Sequence, residues 1–182
     1  MIPPQILTAT GRYFDFATPD PASIEIDDIA IALSRICRFT GHTREFYSVA
    51  QHSVYVSYNV PREHALAGLL HDAAEAYIGD CSTPLKRMLP DYKTIERRVE
   101  FAICERFGLC FPLHPCVKQA DLRMLLTERR DLMPQPLPEN VKTDAIAWSD
   151  FDGIPPLTTR IRGLHSEDAR QVFLDRFYEL TR

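Results

Sequence analysis

The segment His71-Asp72-Ala73-Ala74-Glu75-Ala76-Tyr77-Ile78-Gly79-Asp80 gathers two adjacent metal-type ligands, two further carboxylates and a helix stop. An imidazole nitrogen and a carboxylate oxygen both bind first-row divalent cations, so a His-Asp pair near a helix end can chelate one ion. At about 100° per residue, Glu75 falls one turn beyond His71 and Asp72 on the same helix face, within reach of a water beside such an ion. That is the position of a base. Asp80 follows in a turn, where an aspartate serves either as a turn or N-cap acid or as a contact for substrate or water. The continuation, Cys81-Ser82-Thr83-Pro84-Leu85-Lys86, sets hydroxyls and a lysine directly beside the pair.

Further ligands must come from other elements. Apolar periodicity predicts a first helix from about Ile26 to Arg38-Phe39, with Ile29, Leu33, Ile36 and Cys37 on one face. Arg38 leaves it at a helix-to-loop junction, either turned inward to a phosphate or solvated. A second helix over about 45–58 carries His52 on the same face as Val49 and Val56, as a hydrogen-bonded core histidine or as a ligand. The third, alanine-rich helix spans about 62–78 and is closed by Gly79. His64 lies on it about 10 Å before His71, too far to share a metal, and is read as a structural or surface residue.

A fourth helix, about 91–107, reads as scaffold. The fifth runs from about Pro115 to Met133 and carries Asp121 among Val117, Met124 and Leu125, where a carboxylate is costly unless paired or bound to metal. Glu128-Arg129-Arg130-Asp131 reads as a solvated end with internal ion pairs, from which an arginine could reach a nucleotide. Cys104, Cys110, His114 and Cys116 lack the spacing of a structural zinc site. Residues 1–24 suggest an N-terminal arm or hairpin, residues 134–161 an irregular wrap with room for a short helical turn, and residues 166–181 a last helix with Ser166 as N-cap. Tyr13, Phe14 and Trp148, in the arm and the wrap, would suit a dimer interface or a substrate lid.

Composition bounds the reading. With 182 residues, 45% of them hydrophobic, one well-cored domain is expected. Twenty-one basic against 25 acidic side chains leave a net charge of −4, which gives no global field to hold duplex nucleic acid. Five cysteines without a Cys-x-x-Cys pair suggest free thiols in a reducing compartment, so a cytoplasmic location is expected. No apolar stretch reaches 18 residues and the start does not resemble a secretory leader, so neither a membrane span nor secretion is expected.

The order His52, His71-Asp72, Asp121 on separate helices resembles the H…HD…D signature of HD-domain phosphohydrolases. The likeness covers most of the chain and is carried by Arg38-Phe39, Ser48-Val49-Ala50-Gln51-His52-Ser53, His71-Asp72-Ala73-Ala74-Glu75, Gly79-Asp80, Thr83-Pro84-Leu85-Lys86 and Lys118-Gln119-Ala120-Asp121. Within that family it is similar to the small bacterial 5′-deoxynucleotidases and their prophage and phage counterparts. In those enzymes a tryptophan follows the arginine, where this chain has Phe39, a difference that bears on sugar or base preference.

The resemblance implies an all-α fold, an HD-domain helical bundle, in which His52, His71, Asp72 and Asp121 bind one divalent cation, of cobalt, manganese, zinc, iron or nickel. It implies Glu75 as base or orienter, and Asp80 at a sugar hydroxyl or the water. Arg38 would bind the phosphate, with Phe39, Thr83 and Lys86 beside the substrate. The expected activity is hydrolysis of a deoxynucleoside 5′-monophosphate. A deoxynucleoside triphosphate phosphohydrolase and a nucleotide-sensing module without turnover are the alternatives. The expected partner is a small deoxynucleotide, and self-association is open.

Overall fold

The computed structural model describes residues 3–182. The chain opens on an antiparallel hairpin, β1 (Gln5–Leu7) against β2 (Tyr13–Asp15), with Ile6 opposite Phe14. Residues 1 and 2 of the expected arm lie outside the described residues. The hairpin is part of the core. Phe14 is fully buried and stacks on Tyr77 at 4.0 Å, and the Asp28 carboxylate accepts from both the backbone N–H and the hydroxyl of Thr10 at 2.7 Å. Phe14 therefore does not serve a lid or an interface, whereas Tyr13 remains exposed.

Everything else is helical or irregular. α1 (Ile26–Arg35) has Asp27 and Asp28 in its first turn and buries Ile29 and Leu33. It stops short of the expected Arg38-Phe39. Ile36 is extended, Cys37 bridges to Ser48, and Arg38–Gly41 forms a separate 3-10 turn in which Phe39 and Thr40 both take φ 54°. α2 (Val49–Tyr58) begins later than position 45, because the Ser48 side chain accepts the Gln51 N–H and caps the helix there.

The expected continuous helix over 62–78 is broken in two. A 3-10 turn at Arg62–His64 leads into α3 (Ala65–Leu70), and α4 (Glu75–Ile78) follows after a tightened turn. Through that turn Ala73 donates to Leu70, Glu75 to Asp72 and Ala76 to Ala73, bonds that span three residues rather than four. Such a turn eclipses side chains three apart, so Glu75 stands directly over Asp72.

α5 (Thr83–Lys86) is one short turn. α6 (Pro90–Phe107) ends at Gly108 in the left-handed region, and α7 (Pro115–Leu132) follows. The wrap contains more regular structure than expected, namely α8 (Val141–Trp148) between 3-10 turns at Pro138–Asn140 and Ser149–Phe151. α9 (Ser166–Thr181) is entered from His165, so Ser166 is its first helical residue rather than its N-cap. No helix among the described residues is long and apolar enough to cross a membrane.

Two apolar clusters join these pieces. One packs α1, α2, α3, α4, α6 and α9 around Ile29, Leu33, Leu69, Val99 and Phe173. The other joins α2, α3 and α7 to the wrap through Val56, Ala67, Val117, Ala120, Met124 and Ile161. Between them α2 and α3 approach closely at Gly68, where an added Cβ would meet Ser57 Cα and Val60 Cγ2, each at 3.1 Å. Gly68→Ala is therefore expected to push these helices apart and destabilise the fold by about 1–3 kcal/mol. Chemical unfolding measures this, and an unchanged midpoint would show that the contact is not limiting.

Candidate metal centre

α2 carries His52 into the interior, where it is fully buried. Its Nε2 lies 3.3 Å from His71 Nε2, 3.3 Å from Asp121 Oδ1 and 3.6 Å from Asp72 Oδ2. His71 Nε2 lies 3.2 Å from Asp72 Oδ2 and 3.9 Å from Asp121 Oδ1. Bonds of about 2.1 Å to a shared cation separate neighbouring donors by about 3.0 Å at right angles and about 3.4 Å at the tetrahedral angle. His52, His71 and Asp72 thus form a cluster able to hold a metal ion, with Asp121 adding an oxygen within reach of both rings.

The opposite ring atoms decide what the pair can do. His52 Nδ1 donates to Glu128 Oε1 at 2.6 Å, and His71 Nδ1 donates to the Gly68 carbonyl at 2.9 Å. With both neutral rings protonated on Nδ1, both Nε2 lone pairs face the shared space.

Glu128 is the residue that the sequence reading misplaced. It is completely buried on α7, tying His52 to Arg38, rather than lying on a solvated end. A signal was present: Glu128 stands seven residues after Asp121 and so shares its helix face. Asp131 is half-buried. It accepts the Ile161 N–H at 3.0 Å and pairs with Arg130 and Arg160, fastening the wrap to α7. Arg129 lies over the Trp148 ring at 4.3 Å and pairs with Asp144, so neither arginine of that run joins the cluster.

The electrostatics favour a cation. Burial opposes ionisation of Asp72, yet His71 and His52 hold it below the usual carboxylate range. Asp121 is lowered too, against its burial, by His52, His71 and Lys118, whose Nζ lies 2.7 Å from Asp121 Oδ2. For His52, burial and the Arg38 charge lower the pKa, but Glu128 and Asp121 outweigh them and carry it up to about 9.

Arg38 faces inward rather than into solvent. Its guanidinium lies 3.5 Å from Asp72 Oδ2 and 3.3 Å from Glu128 Oε2, and its Nε is buried without a hydrogen-bond partner among the described residues. The 3-10 turn with its two left-handed residues, rather than a helix end, aims it. The Phe39 ring centroid is 5.6 Å from the guanidinium carbon.

Glu75 is buried, with Oε2 unpartnered. Burial, then the Asp72 and Asp80 charges, push its pKa well above the usual carboxylate value. Asp80 is half-buried at the same edge, its pKa raised by burial and by Asp72 against the pull of Arg38. Thr83 is exposed at the start of α5, and Lys86 pairs with Glu96 of α6. Neither is in contact with the four clustered residues.

Glu128→Gln keeps the size of the side chain but weakens its hold on His52. It is expected to lower affinity for a divalent cation about 10–100-fold while helical circular dichroism is retained. Calorimetric titration of the chelator-stripped chain measures this. Unchanged affinity would mean that Glu128 does not orient the ring.

The chain is 38% identical over 121 residues to the uncharacterized protein RCAP_rcc00048 of Rhodobacter capsulatus, an alignment covering 61% of this chain and 62% of that protein. It is 43% identical over 177 residues to the uncharacterized protein YfdR of Escherichia coli K12, covering 97% of this chain and 95% of the relative. No protein-family model matches. An identity of that level over nearly the full length of both chains means that this protein belongs to the YfdR family.

Proposed function

We propose that the protein is an HD-domain, metal-dependent phosphohydrolase of deoxynucleotides, acting as a 5′-deoxynucleotidase that releases phosphate from a deoxynucleoside monophosphate. The observation that carries this reading is the convergence of two imidazole Nε2 atoms, 3.3 Å apart, with the Asp72 and Asp121 oxygens, beside a buried carboxyl and a buried guanidinium that lack partners for Glu75 Oε2 and Arg38 Nε. His52, His71, Asp72 and Asp121 would hold one divalent cation of the cobalt, manganese, zinc, iron or nickel type. When bound, such an ion supplies positive charge that polarises a phosphate and acidifies a nearby water and the acids around it.

The remaining work falls to the chain. Glu75, its carboxyl ionised once the charge of a cation at the neighbouring ligands offsets burial, would take the proton of the attacking water as the new oxygen–phosphorus bond forms. Its buried position beside Asp72 and Asp80 makes the carboxyl hold that proton firmly, so it is then available to the 5′ oxygen as the old phosphorus–oxygen bond breaks. Arg38 turns donors toward the phosphate oxygens, where negative charge grows. Glu128 keeps His52 in the tautomer that leaves Nε2 free and partly neutralises Arg38, so the pocket is not over-committed to anions before substrate arrives. Asp80 would accept from a sugar hydroxyl or position the water. Thr83 lies at the rim, and Lys86, shared with Glu96, adds only tempered positive potential.

A nucleotide sensor has no use for a buried carboxyl at Glu75, which argues for turnover. The deciding experiment incubates the chain with each candidate metal and with deoxy- and ribonucleoside mono-, di- and triphosphates, and separates the products. Deoxynucleoside and inorganic phosphate from the monophosphate are expected. Inorganic triphosphate would move the assignment to a triphosphohydrolase, and no turnover would favour the sensor. Glu75→Gln is expected to lower turnover about 10²–10⁴-fold without loss of bound metal. Retained activity would remove Glu75 from the role of base.

A further inference from the structure

We propose that His64, His114 and Cys116 form a second metal site, structural in character, that clamps the turn entering α3 to the turn entering α7. The two imidazole rings stack, 8° apart with centroids separated by 4.2 Å, so the rings must turn to bring both in-plane lone pairs onto one ion. One ligand atom from each ring and the Cys116 sulfur all fall within 4.8 Å of one another. Spacing along the chain hides this group, because His64 comes from an element remote in sequence. Cys104 and Cys110, the other residues of the cysteine-rich stretch, do not belong to it: Cys104 is buried and Cys110 exposed elsewhere.

The register of the two helices gives the site its purpose. His64 precedes His71 by seven residues, and His114 precedes Asp121 by seven. Seven residues are two helical turns, about 10 Å of rise. The same pair of elements therefore meets at two levels: His64 against His114 at the first, and His71 within 3.9 Å of Asp121 at the second. Ala67, Val117 and Ala120 are buried between those levels, small enough for α3 and α7 to run side by side. A cation at the first level sets the lateral spacing on which the His71–Asp121 distance depends.

Two imidazoles and a thiolate select zinc, or cobalt as its spectroscopic substitute, over magnesium or calcium, which take oxygen ligands. Cys116 lies in the first turn of α7. His114 is held in place by its Nδ1, which accepts the Cys116 N–H at 3.3 Å. Loading exchanges that cap for a coordination bond or moves the ring proton to free Nε2. His114 is exposed, so water can complete a four-coordinate ion.

The test uses the full chain, stripped with chelator and titrated with zinc or cobalt, with bound ions counted by native mass spectrometry. Two equivalents are expected, and the cobalt form should show thiolate-to-cobalt charge-transfer absorption. Cys116→Ser should lose that absorption and one equivalent. His64→Gln should lose one equivalent as well, and Cys110→Ser should lose neither. His71→Asn should lose the other equivalent and keep the thiolate absorption, and zinc should still raise its melting temperature. No thiolate-to-cobalt absorption in the unmodified chain, or an unchanged metal count and cobalt spectrum in Cys116→Ser, would overturn the proposal, whereas a single equivalent with that absorption would support it and remove the first site. Both readouts are independent of nucleotide turnover.

Discussion

Two imidazole nitrogens face each other at 3.3 Å with no donor assigned between them, because each ring spends its one proton on the opposite side. Two lone pairs at that distance repel, and the adjacent Asp72 and Asp121 oxygens add negative charge rather than relief. His52 is wholly buried, yet Glu128 and Asp121 carry its pKa up to about 9 against that burial and the Arg38 charge. Donors placed this way could hold a divalent ion, whose coordination bonds would satisfy them together.

The fold supplies this constraint from several directions. α2 and α3 touch through Gly68, whose missing side chain permits the approach and whose carbonyl fixes the His71 ring. One residue thereby sets both the distance between the histidines and the orientation of one of them. α7 contributes twice from one face, Asp121 toward the cluster and Glu128 behind His52. The tightened turn between α3 and α4 keeps Glu75 over Asp72 while allowing the chain to leave the helix soon afterwards at Gly79. Arg38 comes last, on a 3-10 turn whose two left-handed residues bend it inward.

Charge balance also explains why so many ionisable groups can be buried together. Glu128 would be untenable alone in the core, but it lies between His52 and Arg38 and stays ionised against its burial. Glu75 has no such cationic neighbour in hydrogen-bond contact, and its pKa moves the other way. Two glutamates, both buried, thus have their pKa values moved in opposite directions by what each one touches. The separation of roles, one residue orienting and one exchanging protons, follows from that difference.

Much of this was legible in the chain itself. The His-Asp pair, the acid one turn beyond it and the inward faces of His52 and Asp121 follow from helical periodicity, which is local and needs no knowledge of the partner. The all-helical class and the hairpin at the start were readable for the same reason. What was not readable depends on pairs distant in sequence. A glutamate in a Glu-Arg-Arg-Asp run reads as surface, and only a histidine 76 residues away makes its burial affordable. His64 meets His114, and Phe14 meets Tyr77, by packing that no spacing rule encodes. The tightened turn between α3 and α4 was not readable either, since alanine-rich sequence there favours an uninterrupted helix. Residue types and periodicity determined which groups could act, because these are properties of short stretches. Tertiary structure alone decided which of them meet, because the desolvation of a charge is set by whatever is folded against it.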